Sequence, residues 1–281
     1  MSYLDRIRDC AIFDPADYRP FRVTDTRVGR IHKEFVGELE RYASIFRISK
    51  DGVDLADDLD TAERRTNAVD QVLRQLHKDG LVAGWRDETY PVTTSFGVPA
   101  LLHMERAAVP LFGIQGYGVH INGFVERDGE TSMWVGRRSM TKPTGPGKLD
   151  QIVAGGQPSG VSLRENLVKE SAEEAGIPAE LAAESVSVGT VSYRTERPEG
   201  LRQDVLFNFD LRLPDDFTPV NTDGEVSDFY LWPMEKVMAT LADTDEFKFN
   251  SALVIIDFLV RHGFIDADDP DYVEIVDGFH I

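Results

Sequence analysis

The 281-residue chain is 42% hydrophobic and 10% aromatic, enough to bury the core of one large domain or two smaller ones. Its 30 Lys and Arg against 49 Asp and Glu leave a formal net charge of −19, which argues against nucleic acid and anionic membranes as partners. An anionic ligand stays admissible, because a local cationic patch and a bound metal can reverse the sign inside a cleft. Cys10 is the single cysteine, so no intrachain disulfide forms; with neither a signal-like start nor an apolar run of about 18 residues, a soluble cytoplasmic protein is expected, and a homodimer is left open.

Residues 1–110 read as a small α+β accessory domain. Ile31, Phe35, Leu39 and Tyr42 recur at helical spacing and predict a helix over 28–42. A better-marked helix is predicted over 61–78, with Asp60 as N-cap, Glu63 completing the capping pair, and Ala62, Val69, Val72, Leu73 and Leu76 as its apolar stripe. Short strands are expected at 89–94 and 101–108. Ahead of them, Trp85 could stack on a ring-bearing substrate, although a tryptophan closing the core near a turn is commoner.

Residues 111–265 have the character of an α/β domain. Strands at 116–126 and 131–138 are joined through Asp128-Gly129, a hairpin signal. The loop that follows gathers Arg137, Arg138, Lys142 and Lys148 with rigidifying prolines in an otherwise acidic chain, and cations there could hold a diphosphate. Further strands are predicted at 187–193, 203–213 and 229–233, and helices at 234–241 and 249–262, the last stopped by Gly263. Residues 266–281 read as an acidic tail on the surface, and the six scattered histidines show no zinc-ligand spacing.

The stretch from Gly155-Gly156 to Gly176-Ile177 is a glycine-rich loop feeding a helix that carries three carboxylates. At about 100° per residue, Glu170, Glu173 and Glu174 fall within an arc of about 100°, while Val161, Val168, Ala172 and Ala175 gather opposite. An acidic triplet alone is usually a solvated face. Framed by glycines, it suggests a hard divalent cation held by carboxylates beside substrate phosphates.

This segment resembles the Nudix box: Gly, five residues, Glu, seven residues, Arg-Glu, an aliphatic, any residue, Glu-Glu, any residue, Gly, an aliphatic. Gly155, Glu170, Glu173, Glu174, Gly176 and Ile177 fall on it in register, while Val161 stands at the first glutamate, Lys169 at the arginine and Ser171 at the aliphatic. The resemblance implies an α+β chain in which a Nudix α/β/α sandwich with a mixed sheet follows the smaller N-terminal α+β domain. It also implies a Mg²⁺- or Mn²⁺-dependent diphosphatase acting on a small-molecule diphosphate. Glu170, Glu173 and Glu174 would be catalytic and hold the metal; Glu225, in the late region where family members often carry a further glutamate, would be a ligand or base. Arg137, Arg138, Lys142, Lys148, Gly155, Gly156 and Trp85 would contact substrate. Tyr117–Gly123, Arg137–Asp150, Val153–Gly156 and Asp245–Ala252 further resemble the thiamin-pyrophosphokinase-related branch, here without a kinase-sized region after Ile281. That branch implies thiamin diphosphate or its oxo- and oxy- analogues as substrate; a nucleoside diphosphate derivative such as ADP-ribose or NADH, or a non-catalytic diphosphate-binding module marked by Val161, are the alternatives.

Overall fold

A computed structural model describes residues 2–280. The chain opens with α1 (Tyr3–Asp9), closed at its start by a Ser2–Asp5 capping box. β1 (Tyr18–Val23) and β2 (Thr26–His32) then form a hairpin whose turn residues, Thr24 and Asp25, both have positive φ. α2 (Lys33–Leu39), β3 (Phe46–Ser49), β4 (Gly52–Leu55) and α3 (Ala62–Lys78) follow, and the four strands lie in the order β2-β1-β4-β3. β5 (Thr89–Val92) and β6 (Leu102–Glu105) make a separate two-stranded sheet. Phe21, Phe46 and Phe112 pack ring against ring in this unit's core, beside Val69, Val72, Leu73 and Leu76 of α3.

The second unit comprises β7 (Gln115–Arg127), β8 (Glu130–Arg138), β9 (Leu149–Gln151), β10 (Val153–Gly156), α4 (Leu163–Ala175), α5 (Ala179–Ala182), β11 (Val186–Arg197), β12 (Gly200–Arg212), β13 (Val226–Pro233), α6 (Met234–Asp243), α7 (Phe249–Arg261) and α8 (Tyr272–Asp277). The main sheet runs β11-β12-β7-β8-β13 and is mixed, because β12 is parallel to β7. β7 and β8 pair only between Phe124–Arg127 and Glu130–Met133 and then part. Beyond the fork β10 pairs with Gly118–Ile121 of β7, and β9 with Val135–Arg137 of β8. α4 packs one face of the sheet through Leu167 against Val119, Ile121 and Phe209, and α7 packs the other through Leu253, Ile256 and Phe258 against Phe124 and Leu206. The result is the expected α/β/α sandwich with a mixed sheet behind a smaller α+β unit. Among the described residues no helix is long and apolar enough to cross a membrane.

Several local expectations are corrected. The 28–42 segment is strand β2 followed by the short α2, because residues 26–31 complete the hairpin; Ile31, placed on the helix by its spacing, is buried from the strand. Thr61, not Asp60, caps α3 by accepting from the Arg64 amide, and Asp60 instead takes the Arg64 guanidinium at 3.0 Å. Residues 106–108 leave β6 for a 3₁₀ turn. On α4 the buried residues are Asn166, Leu167, Ser171, Glu174 and Ala175, so Glu174 points into the sheet while Ala172 lies in solvent. The acidic tail is not a surface appendage. α8 buries Ile275, Phe279 packs beside it, and Glu274 reaches Arg8 of α1 at 2.9 Å; Ile281 lies outside the described residues. Leu4 and Ile7 of α1 and Cys10 just after it belong to this same cluster, so the start of the chain packs with the second unit.

Ile275→Ala is therefore expected to cost about 2–5 kcal/mol in urea unfolding, where a surface tail residue would stay within about 0.5 kcal/mol.

Candidate active site

α4 starts at Ser162, whose side chain accepts from the Glu165 amide while Glu165 returns the bond, and it ends at Gly176 in the left-handed region (φ 62°). Its inner side is bonded to β10: Glu174 Oε2 accepts from the Ala154 amide at 2.8 Å, and the Asn166 side-chain amide donates to the Gly156 carbonyl at 2.9 Å. Gly155 and Gly156 admit no side chain. A Cβ at Gly155 would lie 2.5 Å from the Glu170 side chain, and one at Gly156 would overlap the Tyr90 hydroxyl. Glu170 and Glu174 thus sit directly behind the strand that Tyr90 covers from the N-terminal unit. Glu173 is half exposed and pairs with Lys169 at 2.8 Å, the same lysine that meets Glu170 at 3.1 Å.

In front of Gly155 and Gly156 lies a cavity of about 120 Å³ between the two units. Arg86 and Arg106 line it from the N-terminal side, and Arg138, Lys142, Arg202 and Lys248 from the sandwich. Six cations against one lining carboxylate, Asp204, reverse the sign locally in a chain of charge −19. Arg106 is held by Glu88 at 2.7 Å and lies over the Tyr90 ring. Arg138 is anchored by Asp150 at 2.8 Å and by the Thr144 carbonyl at 2.7 Å, which fixes the loop expected to bind phosphate. Lys142 pairs with Glu225, and Arg202 pairs with Glu199 at 2.8 Å.

Burial shapes these charges. It pushes the Glu170 and Glu174 carboxyls up, against Lys169 for the first and against the Ala154 amide and Lys142 for the second. It pulls Lys142 down despite Glu174 opposite. Deeper in the cavity wall, Lys248 falls to about 8 through burial, against the attraction of Asp150. Asp150 is penalised by burial too, yet Lys248, Arg138 and His120 hold it at about 2, and burial keeps the His120 imidazole neutral at about 4. His120 bonds Gln151 at 2.8 Å, whose amide bonds the Ser251 carbonyl at 2.8 Å, and Ser251 bonds Asp150.

Of the residues singled out in the sequence, Glu170, Glu174, Glu225, Arg138, Lys142, Gly155 and Gly156 converge here. Arg137 and Lys148 do not: the first bonds Gly147 and Glu246, the second Asp245. Trp85 lies elsewhere too, with Arg74 over its ring, His77 beside it and its indole N–H on Asp87; its neighbour Arg86 lines the cavity instead. Tyr90, Arg106 and Lys248 were given no role by sequence reasoning. The one available signal was that each is a cation or phenol from a distant segment, and that does not reveal convergence.

Among the described residues no group of three or more His, Cys, Asp and Glu side chains is gathered as a metal cage. Glu170 and Glu174 nonetheless fit a hard dication. They are oxygen donors, their upward shifts show buried charge short of compensation, and Mg²⁺ commonly takes one or two carboxylates with the rest from water and substrate phosphate.

A domain family described as "NUDIX domain" matches residues 116–253, and one described as "Domain of unknown function (DUF4743)" matches residues 2–116. Nudix hydrolase 24, chloroplastic, of Arabidopsis thaliana is 46% identical over 278 residues, which is 98% of this chain and 76% of that protein. Nudix hydrolase 20, chloroplastic, of the same plant is 46% identical over 268 residues, 92% of this chain and 72% of that one. Among solved structures, a MutT protein from Methanosarcina mazei Go1 aligns over 51% of this chain and 94% of its own, at 20% identity and a TM-score of 0.39. The word chloroplastic in both plant names overturns the cytoplasmic location expected from the sequence.

The buried network makes stability pH-dependent on the acid side. His120 titrates at about 4 in the fold against 6.5 in the open chain, so the unfolded state binds the proton first and stability is lost as pH falls from about 6.5 to 4. Asp150 extends that loss below 3.8. His120→Asn should remove a decline of the order of 3 kcal/mol from this window in denaturation curves taken at pH 7 and pH 4.

Proposed function

Because the chain belongs to the Nudix hydrolase family, we propose that it hydrolyses a small organic diphosphate to the monophosphate, with thiamin diphosphate or its oxo- and oxy- analogues as the substrate class. The observation that carries the reading is the six-cation cavity set against Glu170 and Glu174. A diphosphate is the small ligand whose charge matches such a wall, and arginines suit its oxygens through paired N–H donors. The thiamin assignment is supported by the resemblance of residues 117–123, 137–150, 153–156 and 245–252 to that branch.

Water attacks the terminal phosphorus, the bond from that phosphorus to the bridging oxygen breaks, and orthophosphate and the monophosphate leave. Arg106, Arg202 and Lys248 bind and orient the phosphates. Glu225, which pairs with the cavity-lining Lys142, would take the proton from water. Glu170 and Glu174, with Glu173 beside them, would hold Mg²⁺ or Mn²⁺, which when bound neutralises charge on the phosphate oxygens.

One observation favours a second reading, a diphosphate-binding module without turnover: Val161 replaces an acid of the box, and among the described residues no group of three or more potential ligands is gathered around Glu170 and Glu174. Release of orthophosphate from thiamin diphosphate and its oxo- and oxy- analogues, and of AMP from ADP-ribose and NADH, whose cleavage frees two monophosphates and no orthophosphate, measured with and without Mg²⁺, decides between them. Metal-dependent release that Glu174→Gln reduces by about 100-fold or more is expected. Ligand binding with no release from any compound would leave the binding module. Arg106→Ala is expected to raise KM about tenfold, one charged contact's worth, with kcat changed far less.

A further inference from the structure

A second cavity, of about 300 Å³, opens beside the cationic one and has the opposite chemistry. Its walls are the β5–β6 connection, with Phe96 and Val98, and the glycine loop from Gln157 to Val161. Phe96 is 46% exposed and Val98 39%, large apolar side chains left open at a cavity mouth. The Phe96 ring lies 5.1 Å from that of Tyr117, a second aromatic residue of the wall, and is backed by a contact with the Phe207 ring at 4.7 Å. No Lys, Arg, Asp or Glu lines this cavity. Its wall also holds an unpartnered polar atom: Gln157 is 5% exposed, its amide N–H donates to the Val161 carbonyl at 2.6 Å, and its Oε1 has no partner. The loop is already fixed. Its Gln157 amide bonds the Tyr117 carbonyl, its Ser159 amide bonds the Thr89 carbonyl, and His103 bonds the Ser159 hydroxyl at 2.8 Å.

We infer that this cavity seats the planar heteroaromatic ring of the diphosphate substrate, and that Val161 is apolar because it forms part of this wall. The inference rests on the diphosphatase reading and adds the recognition of the organic moiety. The two cavities share Tyr117, and consecutive residues divide between them: Tyr90 and Gly156 face the cations, Pro91 and Gln157 the apolar side. A ligand with phosphates in the first therefore has its organic part at the second. An apolar cavity of about 150 Å³ already holds a benzene ring, so about 300 Å³ suits one or two linked rings. A carboxylate at position 161 would meet an apolar wall and would have to be desolvated there, which accounts for the departure from the box pattern without invoking lost catalysis.

The test is calorimetric titration of the full chain, without metal, with thiamin monophosphate, with adenosine monophosphate and with inorganic pyrophosphate, which has no ring. Phe96→Ser and Val161→Gln are each expected to weaken at least one ring-bearing monophosphate tenfold or more, with pyrophosphate affinity changed less than threefold and thermal melting unchanged; Phe96→Trp should retain ring binding. Unchanged ring affinity in both variants, a parallel loss for pyrophosphate, or a wild-type chain that binds neither monophosphate overturns the inference. Turnover is scored separately: ring binding that depends on Phe96 and Val161 in a chain that releases no phosphate would sink the diphosphatase reading and keep the ring seat.

Discussion

The four residues of β10 are the hinge of the design, because everything at the site is referred to their backbone. Glu174 and Asn166 of α4 bond the strand from behind, through the Ala154 amide and the Gly156 carbonyl. β7 pairs with it along the edge, and Tyr90 lies over Gly156 from the N-terminal unit. A buried carboxylate accepting a backbone N–H is a charge-assisted bond in a poorly solvated place, so it both locates the helix and keeps the carboxylate oriented. Any side chain at Gly155 or Gly156 would part these layers. The acids and the phosphate-facing cavity would then lose their common reference.

The fork between β7 and β8 makes this possible. Had the strands stayed paired beyond Met133, β10 and β9 would have no free edge and the sheet would be closed where the cavity now opens. The groups that fill the opening are costly to bury. Arg138, Asp150, Lys248 and His120 form a cluster in which each charge is offset by neighbours, with Asp150 held low by Lys248, Arg138, His120 and the Ser251 hydroxyl against the penalty of burial. Buried ion networks seldom add net stability over apolar packing. Their presence under a cation-lined cavity is better understood as orientation of the loop at 138–148 than as stabilisation of the core.

The sequence made the second unit legible wherever the signal was local. Asp128-Gly129 supplies the two positive-φ residues of a tight turn, Gly176 stops α4, and the period of residues 249–262 matches a helix that is buried nearly all round. Misreadings arose where two local codes coincide or a distant partner decides. Residues 26–32 carry apolar spacing compatible with a helix, but pairing with β1 satisfies their backbone as a strand. Glu174 and Ala172 exchange faces relative to the helical-wheel reading because the helix docks through a polar bond to Ala154 instead of through its most apolar stripe. The acidic 266–281 segment hides Ile275 and Phe279 among charges, and only the α1 surface reveals why they are apolar. Arg106 and Lys248 carry no local mark at all; 142 positions apart, they meet through topology.

That topology also explains how cavities between two units can be preformed. Backbone bonds stitch the units at their seam: Leu201 to the Pro110 carbonyl at 2.9 Å, and Ser159 to the Thr89 carbonyl at 3.1 Å. The chain then adds a second tie, since α1 leaves the N-terminal unit and lies against α7 and α8, with the Arg197 side chain and the Thr195 hydroxyl bonding the Asp9 carbonyl. A unit held at both of its ends cannot swing far without breaking buried contacts. Arg86, Tyr90, Arg106 and Phe96 are therefore presented to the sandwich in fixed positions. Less ordering entropy then remains to be lost when a ligand arrives.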